Sequence, residues 1–251
     1  MSGHSKWATT KHQKGIADAK RSKMFTKIQK EITVAVKMGD PNPNFNPRLR
    51  NAIILAKSEN MPKDKIETAM KRALAVGEGE NYEEVRYEGY APASVALIVE
   101  ALTDNRNRTA SNVRSYFTKS GSTLGETGSV SYMFDKVGLI GYEGKKISED
   151  KMLELALEAG AENVESSEDW HEIVTDVSNF AAVKDILTAK LGEPDEAKIT
   201  WKPQNTVVVD DVEKADKLLK LIDKLEDDDD VQQVIGNFEL TEDVRKKLEQ
   251  L

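Results

Sequence analysis

The sequence predicts an α+β protein: an N-terminal helical bundle followed by two α/β domains, one ferredoxin-like and inserted in the other. Three observations predict it. Up to about residue 75 the apolar residues recur at three- and four-residue spacing, and from residue 82 the period changes to alternation. Residues 137–201 then read strand, helix, strand, strand, helix, strand, which is the split pattern of a ferredoxin-like module.

In chain order, the spacing of Phe25, Ile28, Ile32 and Ala35 predicts a helix from about Ala17 to Lys37. Gly39-Asp40-Pro41-Asn42-Pro43-Asn44 breaks it, and Asn46 with Pro47 supplies a cap and a first-turn proline for a second helix whose inner face is Leu49, Ala52, Ile53 and Ala56. A third starts near Pro62 and carries Ile66, Ala69, Met70 and Ala73, so residues 23–79 read as a small helical domain. Tyr82 to Tyr90 and Val95 to Leu102 read as strands, a helix is expected from about Thr109 to Lys119, and Ser129 to Phe134 reads as strand again. The inserted module spans 136–202. The tail offers a strand at Thr206 to Val209, an amphipathic helix from Val212 to Leu225 and a strand at Val231 to Phe238. These have no partners of their own, so the economical arrangement pairs 203–240 with 80–135 as one middle domain, leaving 241–251 as a C-terminal helix.

The charge is unevenly spread. Up to residue 50 there are eleven Lys or Arg against Asp18, Glu31 and Asp40, a net +8, while the remaining 201 residues hold 25 basic and 41 acidic side chains, a net −16. An acidic protein that leads with a basic segment points to a polyanionic partner, because clustered cations displace the counterions condensed on phosphates. Residues 1–22 are expected to form a mobile basic arm, since no apolar periodicity holds them to a core. Within it Trp7, flanked by His4 and His12 and set among Lys6, Lys11 and Lys14, either stacks on an unpaired base or folds back onto the helical domain. Lys20, Lys23, Lys27, Lys30 and Lys37 continue the positive row along the first helix, as a phosphate-tracking surface or a solvated face, and Arg21 joins them as a candidate contact.

Further on, Thr103-Asp104-Asn105-Arg106-Asn107-Arg108-Thr109 lies between a strand and a helix that carries Arg114 and Lys119. Arg106 and Arg108 could clamp a phosphate beside free helix N-terminal donors, or pair with surface acids. Asp227 to Asp230 is an acidic run without the fixed spacing of a metal site.

Some function classes are expected to be absent. With no cysteine there are no disulfides or thiolate sites, and His4 and His12 lack a nearby third ligand because His171 is distant. No nucleophile elbow, P-loop or metal-ligand spacing is present, so neither catalysis nor a cofactor is expected. No apolar leader or membrane-length apolar run occurs, which gives the cytoplasm as the expected location and no membrane partner.

Gly3-His4-Ser5-Lys6-Trp7 with Lys11-His12, Phe25-Thr26-Lys27, Asn46-Pro47-Arg48-Leu49-Arg50, Asn60-Met61-Pro62-Lys63-Asp64, Tyr87-Glu88-Gly89-Tyr90, Thr103 to Thr109, Leu124-Gly125-Glu126 and Gly236-Asn237-Phe238 together resemble the YebC/PmpR family over essentially the whole chain. The resemblance implies a helical N-terminal domain, two α/β domains with one inserted in the other, nucleic-acid binding and control of gene expression. The family is usually labelled DNA-binding transcriptional regulators, while a mitochondrial relative activates translation and bacterial members are tied to ribosomes translating proline-rich stretches. DNA and ribosomal RNA, with the ribosome itself, are thus the expected partners. Thr9-Thr10, Ala91-Pro92-Ala93 and Ser122 depart from the family pattern, and none of these changes removes a cation.

Overall fold

In a computed structural model, residues 17–75 and 82–248 are described. The first helix, α1 (Ala17–Met38), turns Ile28, Ile32, Ala35 and Val36 onto Leu49, Ala52 and Ala56 of α2 (Pro47–Ser58) and onto Ile66, Ala69 and Ala73 of α3 (Lys63–Ala75). Asn46 fixes the corner between the first two helices. Its Oδ1 accepts the Leu49 amide at 3.0 Å as a cap, while its Nδ2 donates to the carbonyls of Ala35 and Asp40, so a buried amide joins the end of one helix to the start of the next. Because α1 begins at Ala17, residues 17–22 are helix rather than arm.

The middle domain opens with β1 (Glu83–Tyr90) and β2 (Ala96–Thr103), paired antiparallel. The turn between them holds Ala93 and Ser94 at φ of 61° and 59°, a left-handed conformation that costs an L side chain free energy glycine avoids. Ala93→Gly is therefore expected to raise stability by roughly 0.5–1 kcal/mol, measured by urea unfolding; a loss of stability would show that the Ala93 methyl packs usefully. Next come α4 (Arg106–Lys119) and the two-residue β3 (Thr123–Leu124). Gly89 lets β3 lie against β1, since a Cβ there would meet the Thr123 carbonyl oxygen at 2.5 Å.

The strand expected at Ser129 to Phe134 is not formed as such. Ser131–Met133 is a single 3-10 turn and β4 starts at Phe134, because the amides of Val130 and Ser131 donate to the buried Glu88 carboxylate instead of to a neighbouring strand.

β4 (Phe134–Glu143), α5 (Glu149–Ala159), β5 (Asn163–Ser166), β6 (Trp170–Asp176), α6 (Phe180–Leu191) and β7 (Glu196–Pro203) form an antiparallel sheet in the order β5-β6-β4-β7 with both helices on one face, which is the ferredoxin-like arrangement. The chain then returns through β8 (Val207–Val209), α7 (Val212–Glu226), β9 (Val231–Gly236), β10 (Phe238–Leu240) and α8 (Glu242–Leu248). β9 pairs antiparallel with β2, giving the order β3-β1-β2-β9, and β8 pairs parallel with β10. The single strand expected over Val231 to Phe238 is thus divided at Asn237, whose Oδ1 accepts the Ala96 amide at 2.7 Å.

One face of the middle sheet is covered by Val113 and Phe117 of α4 and by Ala215, Leu218, Leu219, Leu221, Ile222 and Leu225 of α7. Each buried Leu or Ile there contributes about 1.5–3 kcal/mol, and this packing fixes the two helices side by side. Ala96, Ile98, Val130, Phe134 and Ile235 fill the other face. No helix among the described residues is long and apolar enough to cross a membrane.

Candidate nucleic-acid interface

The acidic run Asp227–Asp230, at the C-terminal end of α7, is where the positive residues of the sequence converge. From the middle domain, Asn112 and the Tyr116 hydroxyl both donate to Asp228 Oδ2 at 3.1 Å. Arg108 reaches Asp230 Oδ2 at 2.7 Å and Asp104 at 2.8 Å, and Thr109 donates to the same Asp230 oxygen at 2.8 Å. From the helical domain, Lys30 donates to Asp230 Oδ1 at 2.7 Å and to the Asp229 carbonyl at 2.9 Å. Lys27 donates to the Glu226 carbonyl at 2.5 Å, and Lys23 to the Asp227 carbonyl and carboxylate, each at 3.1 Å.

The Glu226 and Asp227 carbonyls belong to the end of α7, where the last residues of any helix lack intrahelical donors and carry partial negative charge, and the Asp229 carbonyl follows just beyond it. Lys23, Lys27 and Lys30, at positions i, i+4 and i+7 of α1, act as a cap from another domain. This corrects the reading of the α1 row as an open phosphate-tracking surface: Lys27 is buried and Lys30 nearly so, and their ammonium groups are already held. Burial lowers the Lys27 pKa, opposed by the charges of Glu226, Asp228, Asp229 and Asp227. For Asp230, burial alone would raise the pKa, but hydrogen bonds from Lys30, Arg108 and Thr109 bring it down to about 2.

The Thr103 to Thr109 segment is likewise organised by the chain itself. Asn105 caps α4 by accepting the Arg108 amide, Thr103 Oγ1 accepts the Asn105 amide, and the Thr103 and Thr109 hydroxyl oxygens lie 2.8 Å apart beside Asp230. The helix begins at Arg106, three residues earlier than expected, so Arg106 and Arg108 stand in its first turn about 200° apart around the axis. Arg108 turns inward to the chain's own carboxylates, which corrects its assignment as a phosphate clamp. Arg106 and Arg114 are exposed and enter no ion pair among the described residues.

What this leaves is a helix with an outer face suited to an anion. Over Arg106–Lys119 the chain carries Arg106, Arg108, Arg114 and Lys119 and no carboxylate, and Asn107, Ser111 and Thr118 add exposed polar groups. The Arg106 charge also opposes the rise that burial causes in the Tyr87 pKa. Across the acidic run, α1 passes from Lys30 to Lys23 as α4 passes from Arg108 to Tyr116, so the N-terminal part of α1 lies toward the C-terminal half of α4.

His4, Lys6, Trp7, Lys11, His12 and Lys14 lie outside the described residues, and Lys20 and Arg21 fall on the first turns of α1. His171 is buried, with Nδ1 at 2.8 Å from Ser166 Oγ and Nε2 at 2.9 Å from the Ile147 carbonyl, a structural position. The organising acids Glu88, Asp228 and Asp230 were not singled out from the sequence as individual residues. The one available signal for Glu88 was a carboxylate inside a strand, which needs partners if it points inward.

Residues 5–75 match the family model described as the TACO1/YebC protein N-terminal domain, and residues 82–238 match that described as the TACO1/YebC second and third domain. Among solved structures, the chain is similar to the crystal structure of a conserved hypothetical protein, Aq1575, from Aquifex aeolicus. The two are 52% identical, with 94% of this chain and 98% of the other covered and a TM-score of 0.85.

Proposed function

The chain belongs to the TACO1/YebC family, and from that premise we propose that it is a nucleic-acid-binding regulator of gene expression whose contacts are made by the cations of the first 22 residues and by the outer face of α4. The observation that carries this reading is the acid-free helix α4, which keeps Arg106, Arg114 and Lys119 exposed on a chain whose net charge is −8. Arg106 and Arg114 present planar, always charged groups that take a phosphate through two bonds, and they sit on a capped helix rather than a loop. The proposed role is binding, with no catalytic step.

Translation is the regulatory level that the contact chemistry favours. Arg106, Arg114 and the lysines before residue 20 suit phosphates, and Trp7 suits an unpaired base, while α1, whose cations turn to α7, offers no reading head for a duplex groove. A ribosome-associated factor holding ribosomal RNA meets these terms better than a sequence reader of DNA.

Fluorescence anisotropy of a labelled single-stranded RNA against salt tests the binding. With Lys6, Lys11, Lys14, Arg106 and Arg114 on phosphates, log affinity is expected to fall with log salt at a slope of about −3.5. Arg106→Gln with Arg114→Gln should make the slope shallower by about 1.4 at an unchanged melting temperature. An unaltered slope removes α4 from the interface. Sucrose-gradient sedimentation of a lysate before and after ribonuclease separates the two levels: co-migration with ribosomes supports translation, and recovery with defined chromosomal fragments supports transcription.

A further inference from the structure

The helical bundle is held to the rest of the chain in an unusual way for neighbouring domains. Among the described residues its apolar cluster is made of residues between Phe25 and Ala73, and the other clusters start at Tyr87, so no one cluster spans the two. Cations join them instead: Lys23, Lys27 and Lys30 on the end of α7, Arg48 on Glu84 at 2.6 Å, and Lys184 of α6 on Asn51 at 3.1 Å. Lys30 also lies over the Tyr82 ring. Where the bundle faces the inserted module, a cavity of about 370 Å³ separates Pro43, Ile53 and Ile54 from Lys184 and Thr188.

The acidic half of the junction is preformed. Asp228 is held by Asn112 and Tyr116, and one oxygen of Asp230 by Arg108 and Thr109, all from the middle domain. Toward α1 the run thereby presents the other Asp230 oxygen, the Asp227 carboxylate and three carbonyls. To the α1 lysines this surface resembles a short stretch of phosphates.

We propose that Lys23, Lys27 and Lys30 with residues 226–230 form a latch that a polyanion displaces. A phosphate chain that competes for the lysines replaces one set of anionic oxygens by another, so each ammonium stays paired and only the difference between the two partners opposes the exchange. Release of counterions from the polyanion favours it. Opening also exposes hydrocarbon, at the Lys27 stem and at Val34, which lies one turn beyond Lys30 on the same face of α1 and is buried outside the bundle's own cluster, and that cost is what the polyanion has to offset. Opening releases the bundle from α7 and frees three lysines on one face of α1 for the polyanion. That the polyanion in the cell is a nucleic acid rests on the function proposed above; the latch itself does not.

The chain has no cysteine, so Lys71→Cys on α3 and Lys220→Cys on α7, both exposed positions, place a donor and an acceptor dye on the two sides of the latch. Energy transfer is followed while inorganic polyphosphate is added at constant ionic strength. Transfer is expected to fall saturably, and in the Asp227→Asn variant, which removes one half-exposed carboxylate from the latch, the half-point should come at about 1.5- to 5-fold lower polyphosphate. Unchanged transfer, with or without polyphosphate binding, overturns the proposal, as does an identical half-point in the variant. A single-stranded RNA is titrated in parallel. If polyphosphate opens the latch and RNA does not bind, the latch stands and the nucleic-acid reading falls; if RNA binds without lowering transfer while polyphosphate lowers it, the nucleic-acid reading stands and the latch is not its switch.

Discussion

Asp230→Asn is expected to lower the unfolding free energy by about 3 kcal/mol. The wild-type carboxylate is almost wholly buried and accepts from Lys30, Arg108, Thr109 and Thr103. An amide keeps the shape but loses the charge, leaving Lys30 and Arg108 without their shared counter-ion. Acid titration gives a second readout. The carboxyl is depressed from 3.8 to about 2 by its hydrogen bonds, so its contribution to stability is complete above about pH 4 and is lost as pH falls toward 2. Urea midpoints measured from pH 6 to 2 should therefore fall steeply for the wild type in that window and less steeply for the variant. Parallel acid limbs would show that the loss belongs to some other carboxylate.

Glu88→Gln is expected to cost about 2–3 kcal/mol and to loosen one loop selectively. Glu88 is fully buried; its Oε2 accepts the Val130 and Ser131 amides at 2.9 and 2.8 Å and its Oε1 accepts Arg86 Nε at 2.8 Å. Burial alone would raise its pKa, but the amides of Val130, Gly128 and Ser131 and the Arg86 charge together lower it. Arg86 also stacks on Trp201, whose indole N–H donates to Glu100 at 2.8 Å, so the same network reaches the end of β7. Hydrogen exchange should quicken at Val130 and Ser131 well before α7 is affected. Uniform acceleration across the middle domain would mean that Glu88 supports the sheet as a whole, and unchanged exchange would remove its role as the anchor of this loop.

The sequence by itself determined the α+β class, the three apolar faces of the bundle, the Asn46 cap with Pro47, and the strand and helix order of the ferredoxin-like module. These are local properties: a face recurs at a fixed period, and a cap needs its partner only three residues away. The family resemblance was legible for a related reason, since it rests on short ordered blocks. Strand edges near Ser129 and Asn237 were not legible, because the Val130 amide is taken by a side chain 42 residues distant and the Asn237 side chain takes an amide 141 residues distant. Charge was the least legible feature of all. A row of lysines at helical spacing looks the same whether it meets solvent, a phosphate or an acid 200 residues away, and only the tertiary structure decided that Lys23, Lys27 and Lys30 meet the end of α7. It decided the roles of Arg106 and Arg108 in the same way. Two residues apart on a helix, they point to different sides, so one meets Asp230 and the other is left exposed.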